Sequence, residues 1–384
     1  MTDKPVYRVG LIGGGRQGTH HARGYQLHPR TEVVAVADTD SENRELFMER
    51  FGVPGYATYT EMLANEDIDI SAPNLPVKAN PGAVIASAES GVKGVFSEKP
   101  LAGSLADADL MVEACASRGI PFAAGLVVSS HPDYVRAYKI AAEGGIGQVI
   151  RINLYEDNKQ VGTHGLNLAR KFANKADVDF VTGFVSNDPH GEYEEDYGQG
   201  ERWYGGLGGH IRFTNGVECF SSYTGPDYLG LEVVGTHGVI RNIHNTGVGL
   251  RMFRTDNPKD NPELLEVEGT FLPAAPSPRE RDEEGWRKPS QVMMATITAV
   301  AEAIDTGDPL EVTTGDDLRH SLEIAIAIRE SARQDGKAVR LPIQDRGIMM
   351  YPEVWRWHYK KEVYGEEWYR EQMTEHVKPG EKYG

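Results

Sequence analysis

Two basic side chains, Lys99 and His164, stand at positions where they could act on a hydroxyl group. Lys99 lies between Glu98 and Pro100, directly after a predicted strand, and His164 lies at the start of a predicted helix. A lysine can hydrogen-bond a reacting hydroxyl and stabilise charge on its oxygen, and a histidine can remove its proton near neutral pH. The oxidation of an alcohol needs both operations. The structural alternatives are a surface lysine before a proline turn and a histidine that caps its helix.

A glycine loop near the N-terminus predicts a dinucleotide site. Gly13-x-Gly15-x-x-Gly18 follows an apolar run and opens a predicted helix. This spacing lets the backbone turn sharply, approach a pyrophosphate closely and pack the helix against its strand. The unpaired N–H groups at the helix N-terminus favour the anion. We expect Arg16 and Gln17, inside the loop, to lie beside the pyrophosphate.

Asp38 predicts which dinucleotide is bound. It ends the β-branched run from Glu32 to Ala37 and lies about twenty residues beyond the last loop glycine, where a carboxylate accepts from the ribose hydroxyls of NAD. The same carboxylate would repel the 2′-phosphate of NADP. We therefore expect NAD rather than NADP, unless the Arg16 guanidinium reaches the adenosine side.

Composition excludes several classes of protein. A length of 384 residues predicts two domains, and a net charge of −17 argues against nucleic-acid binding. There is no run of 18 apolar residues and no signal-peptide pattern at the N-terminus, so neither a membrane span nor export is expected. Only Cys115 and Cys219 occur, without a ligand-like spacing to histidine, which predicts no disulfide framework, no metal site and a cytoplasmic location.

The first third of the chain alternates strand-like and helix-like segments, which predicts an N-terminal Rossmann domain with a doubly wound parallel sheet. The predicted strands are 7–12, 32–37, 68–72, 93–97 and 121–127. The predicted helices are 17–27, 41–51, 81–90 and 104–118, with Ser41 and Ser104 as N-caps. This NAD-binding domain is expected to span residues 1–127.

The remainder predicts a C-terminal α+β domain over residues 128–345, with a large, open, mostly antiparallel sheet. After a helix at 131–143 and a strand at 148–154, several short β patterns follow, including a hairpin turn at Asn215-Gly216. One sheet face would be covered by helices and the other would be free for a homodimer or homotetramer interface. Two helices are predicted at 289–306 and 315–335. Residues 346–384 form an aromatic-rich C-terminal extension.

Two further side chains are candidates for substrate contact. His131 precedes Pro132 at a predicted helix start, where it could cap the helix or contact substrate. Trp286 lies in a polar segment before a helix, a place for a sugar-stacking aromatic or for a packing anchor.

The sequence resembles the Gfo/Idh/MocA oxidoreductases over residues 6–345. The motifs that carry the resemblance are, in chain order, Gly13-x-Gly15-x-x-Gly18, Asp38, Pro73-Asn74, Glu98-Lys99-Pro100, the turn from Gly144 to Gly147, His164, and Gly315-Asp-Asp-Leu with Leu322-Glu-Ile-Ala. The resemblance implies that Pro73, Asn74, Glu98 and Lys99 lie beside the cofactor. In this family a lysine orients the substrate and a histidine in an Asp-x-x-x-His motif is the acid/base. Lys99 and His164 match these two positions.

The sequence departs from the family pattern around the substrate. Gln160 stands where the family has the aspartate of the Asp-x-x-x-His motif, and Asp157 and Asn158 lie close enough in sequence to substitute for it. The usual histidine after Pro73-Asn74 is absent, and Lys78 or Asn80 falls near its position. The substrate pocket is therefore expected to be atypical.

These patterns predict an NAD-dependent oxidoreductase that oxidises a secondary hydroxyl of a sugar, sugar derivative or cyclitol, with His164 as acid/base and Lys99 orienting the hydroxyl. An alternative is NAD-assisted cleavage of a glycoside through a transient 3-keto sugar with the cofactor kept bound. A second alternative is a non-catalytic dinucleotide-binding regulator, against which the presence of both Lys99 and His164 speaks.

Overall fold

The computed structural model describes residues 4–156, 162–185, 190, 206–222, 230–242, 249–259, 263–271, 281–283, 285–350, 365 and 367. The chain divides into two compact units. The first unit comprises residues 1–126, 277–316 and 355–384. The second comprises residues 127–276 and 317–354.

The strands are, in chain order, β1 (Tyr7–Ile12), β2 (Thr31–Ala37), β3 (Gly55–Tyr56), β4 (Ile70–Pro73), β5 (Gly94–Ser97), β6 (Phe122–Ala124), β7 (Val149–Tyr155), β8 (Val178–Val185), β9 (Leu207–Phe213), β10 (Glu218–Ser222), β11 (Gly230–Gly235), β12 (Gly238–Asn242), β13 (Arg251–Arg254), β14 (Leu265–Glu266) and β15 (Val339–Arg340). The α-helices are α1 (Arg16–Leu27), α2 (Ser41–Phe51), α3 (Tyr59–Asn65), α4 (Asn80–Ser90), α5 (Leu105–Ala116), α6 (Pro132–Ala142), α7 (Gly165–Phe172), α8 (Gln291–Thr306) and α9 (Gly315–Arg333).

The first unit is built on a parallel sheet with the strand order β3-β2-β1-β4-β5-β6. The order reverses between β1 and β4, which is the point where ligands bind in doubly wound sheets. The central strands are buried on both faces because helices cover both, as a parallel sheet requires. The predicted Rossmann fold is thereby confirmed, and short β3 and α3, which the sequence patterns missed, complete it.

Local hydrogen bonds explain where the helices of this unit begin. The Ser104 hydroxyl accepts from the Asp107 N–H at 3.1 Å, so Ser104 is the N-cap of α5 as predicted. At α2 the cap is Asp40 rather than the predicted Ser41. The Asp40 carboxylate accepts from the Asn43 N–H at 2.9 Å, and Ser41 is the first helical residue.

Helix α8 belongs to the first unit, although about 165 residues separate it from β6. Its Met293, Ile297 and Val300 are buried in the same core as strand β1 and helix α1. The Tyr7 hydroxyl also donates to Asp305, near the end of α8, at 2.6 Å. The sequence-based division placed all of residues 128–345 in one C-terminal domain. The structure differs, because the apolar face of α8 is buried against the parallel sheet.

The second unit contains a nine-stranded sheet with the order β14-β13-β12-β11-β7-β10-β9-β8-β15. Neighbouring strands are antiparallel except for the parallel pair β7 and β10. The turn at Asn215-Gly216 joins β9 to β10 as predicted. Strand β8 was not predicted. Along it, Val181 is buried whereas Phe184 is 51% exposed, so the two faces of this sheet differ.

The described residues contain neither a candidate membrane span nor a candidate metal cluster. No helix among them combines the length and apolar character needed to cross a membrane. No group of three or more His, Cys, Asp or Glu side chains within the same ranges could hold a metal ion. Most of the predicted aromatic extension, residues 346–384, lies outside the described residues.

Candidate active site

The predicted cofactor residues of the first unit lie along one edge of its sheet, where the parallel strands end. Backbone hydrogen bonds continue beyond the strands and join neighbouring connections. Gly13 N–H donates to Ala37 at 2.8 Å, Asn74 N–H to Ile12 at 2.7 Å, and Glu98 N–H to Pro73 at 2.8 Å. The loops after β1, β2, β4 and β5 are therefore held side by side at the reversal point of the strand order.

The glycine loop has the geometry that a pyrophosphate requires. Gly13 has a φ of +94°, and a Cβ on Gly18 would lie 1.8 Å from the Gly13 carbonyl oxygen. Only glycine fits at these two positions, so the backbone is open to close approach. Helix α1 begins at Arg16 with Gly15 as its N-cap, and no side chain occupies that cap. Arg16 and Gln17 are half-buried in its first turn.

Asp38 follows β2 and its side chain faces the glycine loop. One carboxylate oxygen accepts from the Gly14 N–H at 2.7 Å, and the other accepts from the Asp40 N–H at 2.9 Å. The Arg44 guanidinium donates to the Asp38 main-chain oxygen at 2.7 Å. The carboxylate is thus fixed beside the loop where the adenosine ribose of a dinucleotide would lie.

Asn74, after β4, presents a polar atom that the described residues leave without a hydrogen bond. Its amide nitrogen donates to Ala72 at 2.8 Å, whereas its buried Oδ1 has no partner among those residues. A buried acceptor of this kind is costly unless a ligand donor reaches it. The open glycine loop, Asp38 and this acceptor together fit a bound dinucleotide.

Glu98 is fixed by protein groups on both carboxylate oxygens. His21 Nε2 lies 2.9 Å from Oε1, and the Lys99 N–H donates to Oε2 at 2.8 Å. Burial alone would raise the pKa of this carboxyl, but the hydrogen bond and charge of His21, helped by Lys99, hold it at about 2. Glu98 is therefore an ionised, buried group whose two oxygens are already engaged by His21 and Lys99.

Lys99 lies in a hydrogen-bonded turn at the end of β5. The Lys99-Pro100 peptide bond is cis, and a Cβ on Gly125 would lie 2.5 Å from the Lys99 Cβ. Asn80 holds both sides of the turn, because its amide nitrogen donates to the Leu101 carbonyl oxygen at 2.9 Å and its amide oxygen accepts from the Ser97 hydroxyl at 2.9 Å. Lys99 itself is half-buried. The turn fixes its main chain at the carboxyl edge of the sheet.

His164 lies in the second unit at the N-cap position of α7. Its side chain makes no capping hydrogen bond, so the predicted capping alternative is not realised. The Val128 N–H instead donates to Nδ1 at 3.4 Å. A neutral ring that accepts at Nδ1 carries its proton on Nε2. His164 is therefore a half-buried imidazole with Nε2–H as its donor.

Two substrate candidates have structural roles. His131 is buried and caps α6, because its Nδ1 accepts from the Asp133 N–H at 3.2 Å. Trp286 is only 4% exposed, with its ring 5.9 Å from that of Phe51 and Arg23 lying over it. Its position is that of a packing anchor rather than a sugar platform. The remaining candidates, Asp157, Asn158 and Gln160, lie outside the described residues.

The sequence reading missed two residues that contact the site of the first unit. His21 is buried in α1, where every residue from Gly18 to Tyr25 is buried, and Tyr25 lies on the same helix face four positions further on; a histidine at helical spacing from an aromatic residue is the signal that could have found it. Arg44 gives no comparable signal, because an arginine within a charged surface helix is ordinary.

The fold and site define a class: a dinucleotide-binding Rossmann protein with a second, mostly antiparallel domain. Residues 7–126 match the family described as "Oxidoreductase family, NAD-binding Rossmann fold" (GFO_IDH_MocA). Residues 7–126 are thus similar to the NAD-binding domain of the Gfo/Idh/MocA oxidoreductases, in agreement with the predicted Rossmann fold of this part of the chain.

Individual relatives match over limited regions. Myo-inositol 2-dehydrogenase of Thermotoga maritima is 33% identical over 28% of this chain and 32% of its own length. The 2,7-anhydro-N-acetylneuraminate hydratase of Mediterraneibacter gnavus is 31% identical over 36% of this chain and 37% of its own length. The alignments thus span about a third of the length of these curated relatives.

A solved structure shares the fold of most of this chain. Levoglucosan dehydrogenase, in complex with NADH and levoglucosan, superposes with a TM-score of 0.67 at 20% identity. The match covers 88% of this chain and 100% of that chain. At this identity the likeness concerns the fold alone.

Proposed function

We propose that the protein is an NAD-dependent oxidoreductase that oxidises a secondary hydroxyl of a sugar, sugar derivative or cyclitol. In this proposal Lys99 holds the hydroxyl oxygen and His164 exchanges its proton. The observation that supports the proposal is the hydrogen-bonded Glu98-Lys99-Pro100 turn, which follows β5 at the same sheet edge as the glycine loop and Asp38. A dinucleotide-binding regulator would not require a lysine held in this way.

The chemistry divides between the cofactor and the chain. NAD, when bound, accepts the hydride from the carbon that is oxidised. Gly13, Gly18 and Asp38 would hold it. The Lys99 ammonium stabilises negative charge on the oxygen. In the oxidative direction a neutral His164 takes the hydroxyl proton on an unprotonated Nε2, which requires its own ring proton to be on Nδ1 and the 3.4 Å contact with the Val128 N–H to be given up. In the reductive direction the imidazolium form donates its Nε2 proton to the carbonyl oxygen.

The substrate class rests on the names of relatives rather than on contacts in this chain. Myo-inositol, D-apiose and levoglucosan are all polyhydroxylated rings or sugars, and each appears in the name of a dehydrogenase similar to part or all of this chain. Strong hydrogen bonding to several hydroxyls is the expected mode of recognition, because a site built for hydroxyls rejects analogues that lack them.

The test is a panel of sugars, cyclitols and glycosides with saturating NAD, measured by thermal shift and by absorbance of NADH at 340 nm. A bound substrate raises the apparent stability of the native state. Lys99→Met should lower kcat/KM about 10²–10³-fold, and His164→Ala about 10²–10⁴-fold. The matched control is Lys93→Met, since Lys93 is 60% exposed and pairs with Asp69. Equal activity of all three variants would refute the proposed roles.

We also propose that the open sheet face of the second unit joins copies of this chain into a homodimer or homotetramer. Phe184 and Phe220 are 51% and 39% exposed on this face. The His210 ring stacks on Phe220 at 4.7 Å, with 10° between the planes. Phe220→Glu should reduce the mass measured by light scattering to that of a smaller assembly. An unchanged mass would exclude this face as the interface.

The cytoplasm is the proposed location. Cys115 and Cys219 are both buried and unpaired, and burial raises the pKa of each thiol. Unpaired buried thiols are compatible with a reducing compartment. Cell fractionation of the native host, with an antibody to detect the protein, tests this location. Recovery of the protein in an exported fraction would overturn the proposal.

A further inference from the structure

A buried pair joins the helix after the glycine loop to the lysine turn. The side chains of His21, on α1, and Glu98, after β5, are 0% and 6% exposed, and Nε2 lies 2.9 Å from Oε1. The two residues are 77 positions apart in sequence. An ionised carboxylate can only accept, so the His21 Nε2–H donates to it. A charge-assisted hydrogen bond without water around it is among the stronger polar contacts in proteins.

The second oxygen of Glu98 extends this contact to Lys99. The Lys99 N–H donates to Oε2 at 2.8 Å. Glu98 therefore bridges the imidazole of α1 and the main chain of Lys99, with one oxygen for each. Removal of the imidazole leaves a buried carboxylate with one of its two hydrogen bonds, which favours either its protonation or its movement towards water.

Helix α1 is also the element that would receive the cofactor. It starts at Arg16, within the glycine loop, and His21 lies five residues further on. The His21 ring is packed 5.0 Å from that of Phe96 on β5, so helix and strand are in direct contact at this point. The pyrophosphate end of the site and the lysine end are thus linked by one short chain of buried groups.

We propose that His21 is a positioning residue that acts through Glu98 to fix the main chain of Lys99 relative to the helix that binds the pyrophosphate. This proposal rests on the proposed function, in which Lys99 holds the hydroxyl oxygen. It assigns to Glu98 the role of a bridge within the protein, whereas the family resemblance implied a residue beside the cofactor.

The test compares three substitutions in α1 and one in the turn. His21→Phe keeps a ring against Phe96 and removes the donor, whereas His21→Gln offers an amide nitrogen in the place of Nε2. Tyr25→Phe is the matched control, because Tyr25 is buried beside Phe96 and its hydroxyl has no hydrogen-bond partner among the described residues. Glu98→Gln removes the charge of the bridge itself.

The primary measurement is hydrogen–deuterium exchange at the Lys99 amide, with the Phe96 amide as an internal reference. His21→Phe and Glu98→Gln should accelerate exchange at Lys99 about tenfold or more without a matching change at Phe96, because a specific hydrogen bond is weakened. His21→Gln and Tyr25→Phe should remain near the wild-type rate. Equal rates at Lys99 in His21→Phe and Tyr25→Phe would overturn the proposal.

A second measurement connects the bridge to turnover. With a polyol substrate found in the panel, His21→Phe should lower kcat about tenfold while the KM for NAD changes less than twofold, and His21→Gln should restore most of kcat. A purely structural role would instead change both parameters together with the melting temperature. If no polyol is oxidised by the wild type, the proposed function fails, and the exchange measurement still decides the role of His21. If His21→Phe does not fold, Glu98→Gln carries the same comparison.

Discussion

Replacement of Lys171 by methionine should stabilise the protein at neutral pH. Lys171 lies in the last turn of helix α7 with its side chain only 3% exposed, and its nitrogen lies 3.5 Å from the buried carboxylate of Asp317. Arg170 and Lys175 contact the same carboxylate at 2.9 and 3.2 Å. Three cations thus share one anion. Methionine has a similar length and no charge, and Asp317 keeps its two other partners in the variant.

The magnitude follows from the pKa of Lys171. Burial lowers it from 10.5 to about 8, and the attraction of Asp317 opposes this only in part because Lys175 and Arg170 repel the ammonium. The difference of about 2.5 between the two pKa values corresponds to about 3 kcal/mol at about 1.4 kcal/mol for each pH unit. This is the cost of keeping Lys171 charged in the folded state below pH 8.

The pH dependence has a definite direction. Between pH 8 and 10.5 the unfolded chain binds the Lys171 proton and the folded chain does not, so the stability of the wild type rises with pH across this window. Lys171→Met lacks this component. The variant should therefore be more stable than the wild type by about 1–3 kcal/mol at pH 7, and the advantage should shrink as the pH approaches 10.5.

The assay is urea unfolding followed by circular dichroism at pH 6, 7, 8, 9 and 10. The matched control is Lys175→Met, because Lys175 contacts the same carboxylate but is 49% exposed, so its contribution is expected to be about 0–1 kcal/mol. The reasoning is refuted if Lys171→Met is less stable than the wild type at pH 7 by a margin that does not vary with pH. In that case the ion pair with Asp317 would outweigh burial.

Three further predictions concern the first unit. Asp38→Ala should weaken NAD binding about tenfold and improve NADP binding, because the repelling carboxylate is gone and Arg44 remains beside the loop. The double variant with Arg44→Ala should lose the gain in NADP binding. An unchanged ratio of NAD affinity to NADP affinity in fluorescence titrations would contradict this. Gly18→Ala should reduce the affinity for NADH at least about 100-fold, because the new methyl group would lie 1.8 Å from the Gly13 carbonyl oxygen. If the variant bound NADH as tightly as the wild type, the loop would have to shift freely, and the reasoning would be wrong. The pKa of Glu98 is about 2 in the folded protein against the usual 4.5, so its ionised form stabilises the folded state by about 3 kcal/mol above pH 4.5, and this stabilisation is lost as the pH falls towards 2. The free energy of unfolding of Glu98→Gln should therefore fall less steeply than that of the wild type over this pH range. Parallel curves for the two proteins would exclude such a contribution.

Much of the first unit could be predicted because its signals are local. The glycine spacing, the β-branched strand before Asp38 and the Ser104 cap each lie within a few residues of the structure that they specify. One topological rule then brings them together, since the ends of parallel strands share an edge. The position of Lys99 at that edge followed from the strand that precedes it.

The features that could not be predicted depend on contacts between distant residues. The hydrogen bond between Glu98 and His21 joins residues 77 positions apart, and the one between Arg23 and Asp282 joins residues 259 positions apart. The second contact bears on Trp286, because Asp282 also accepts from the Trp286 main-chain N–H at 2.8 Å and so fixes its backbone beside α1, where the Arg23 guanidinium lies over the indole. No spacing in the sequence distinguishes this buried anchor from an exposed sugar platform.

The return of α8 to the first unit has a consequence for how the protein is made. The Tyr7 hydroxyl forms its hydrogen bond with Asp305, which is translated 298 residues later. At synthesis rates of about 5–20 residues per second, roughly 8–35 s pass between the appearance of β6 and that of α8 at the ribosome. During that interval the nascent Rossmann sheet exposes the apolar surface that Met293, Ile297 and Val300 later cover. The first sheet to be translated therefore completes its core only after strands β7 to β14 of the second unit have been made.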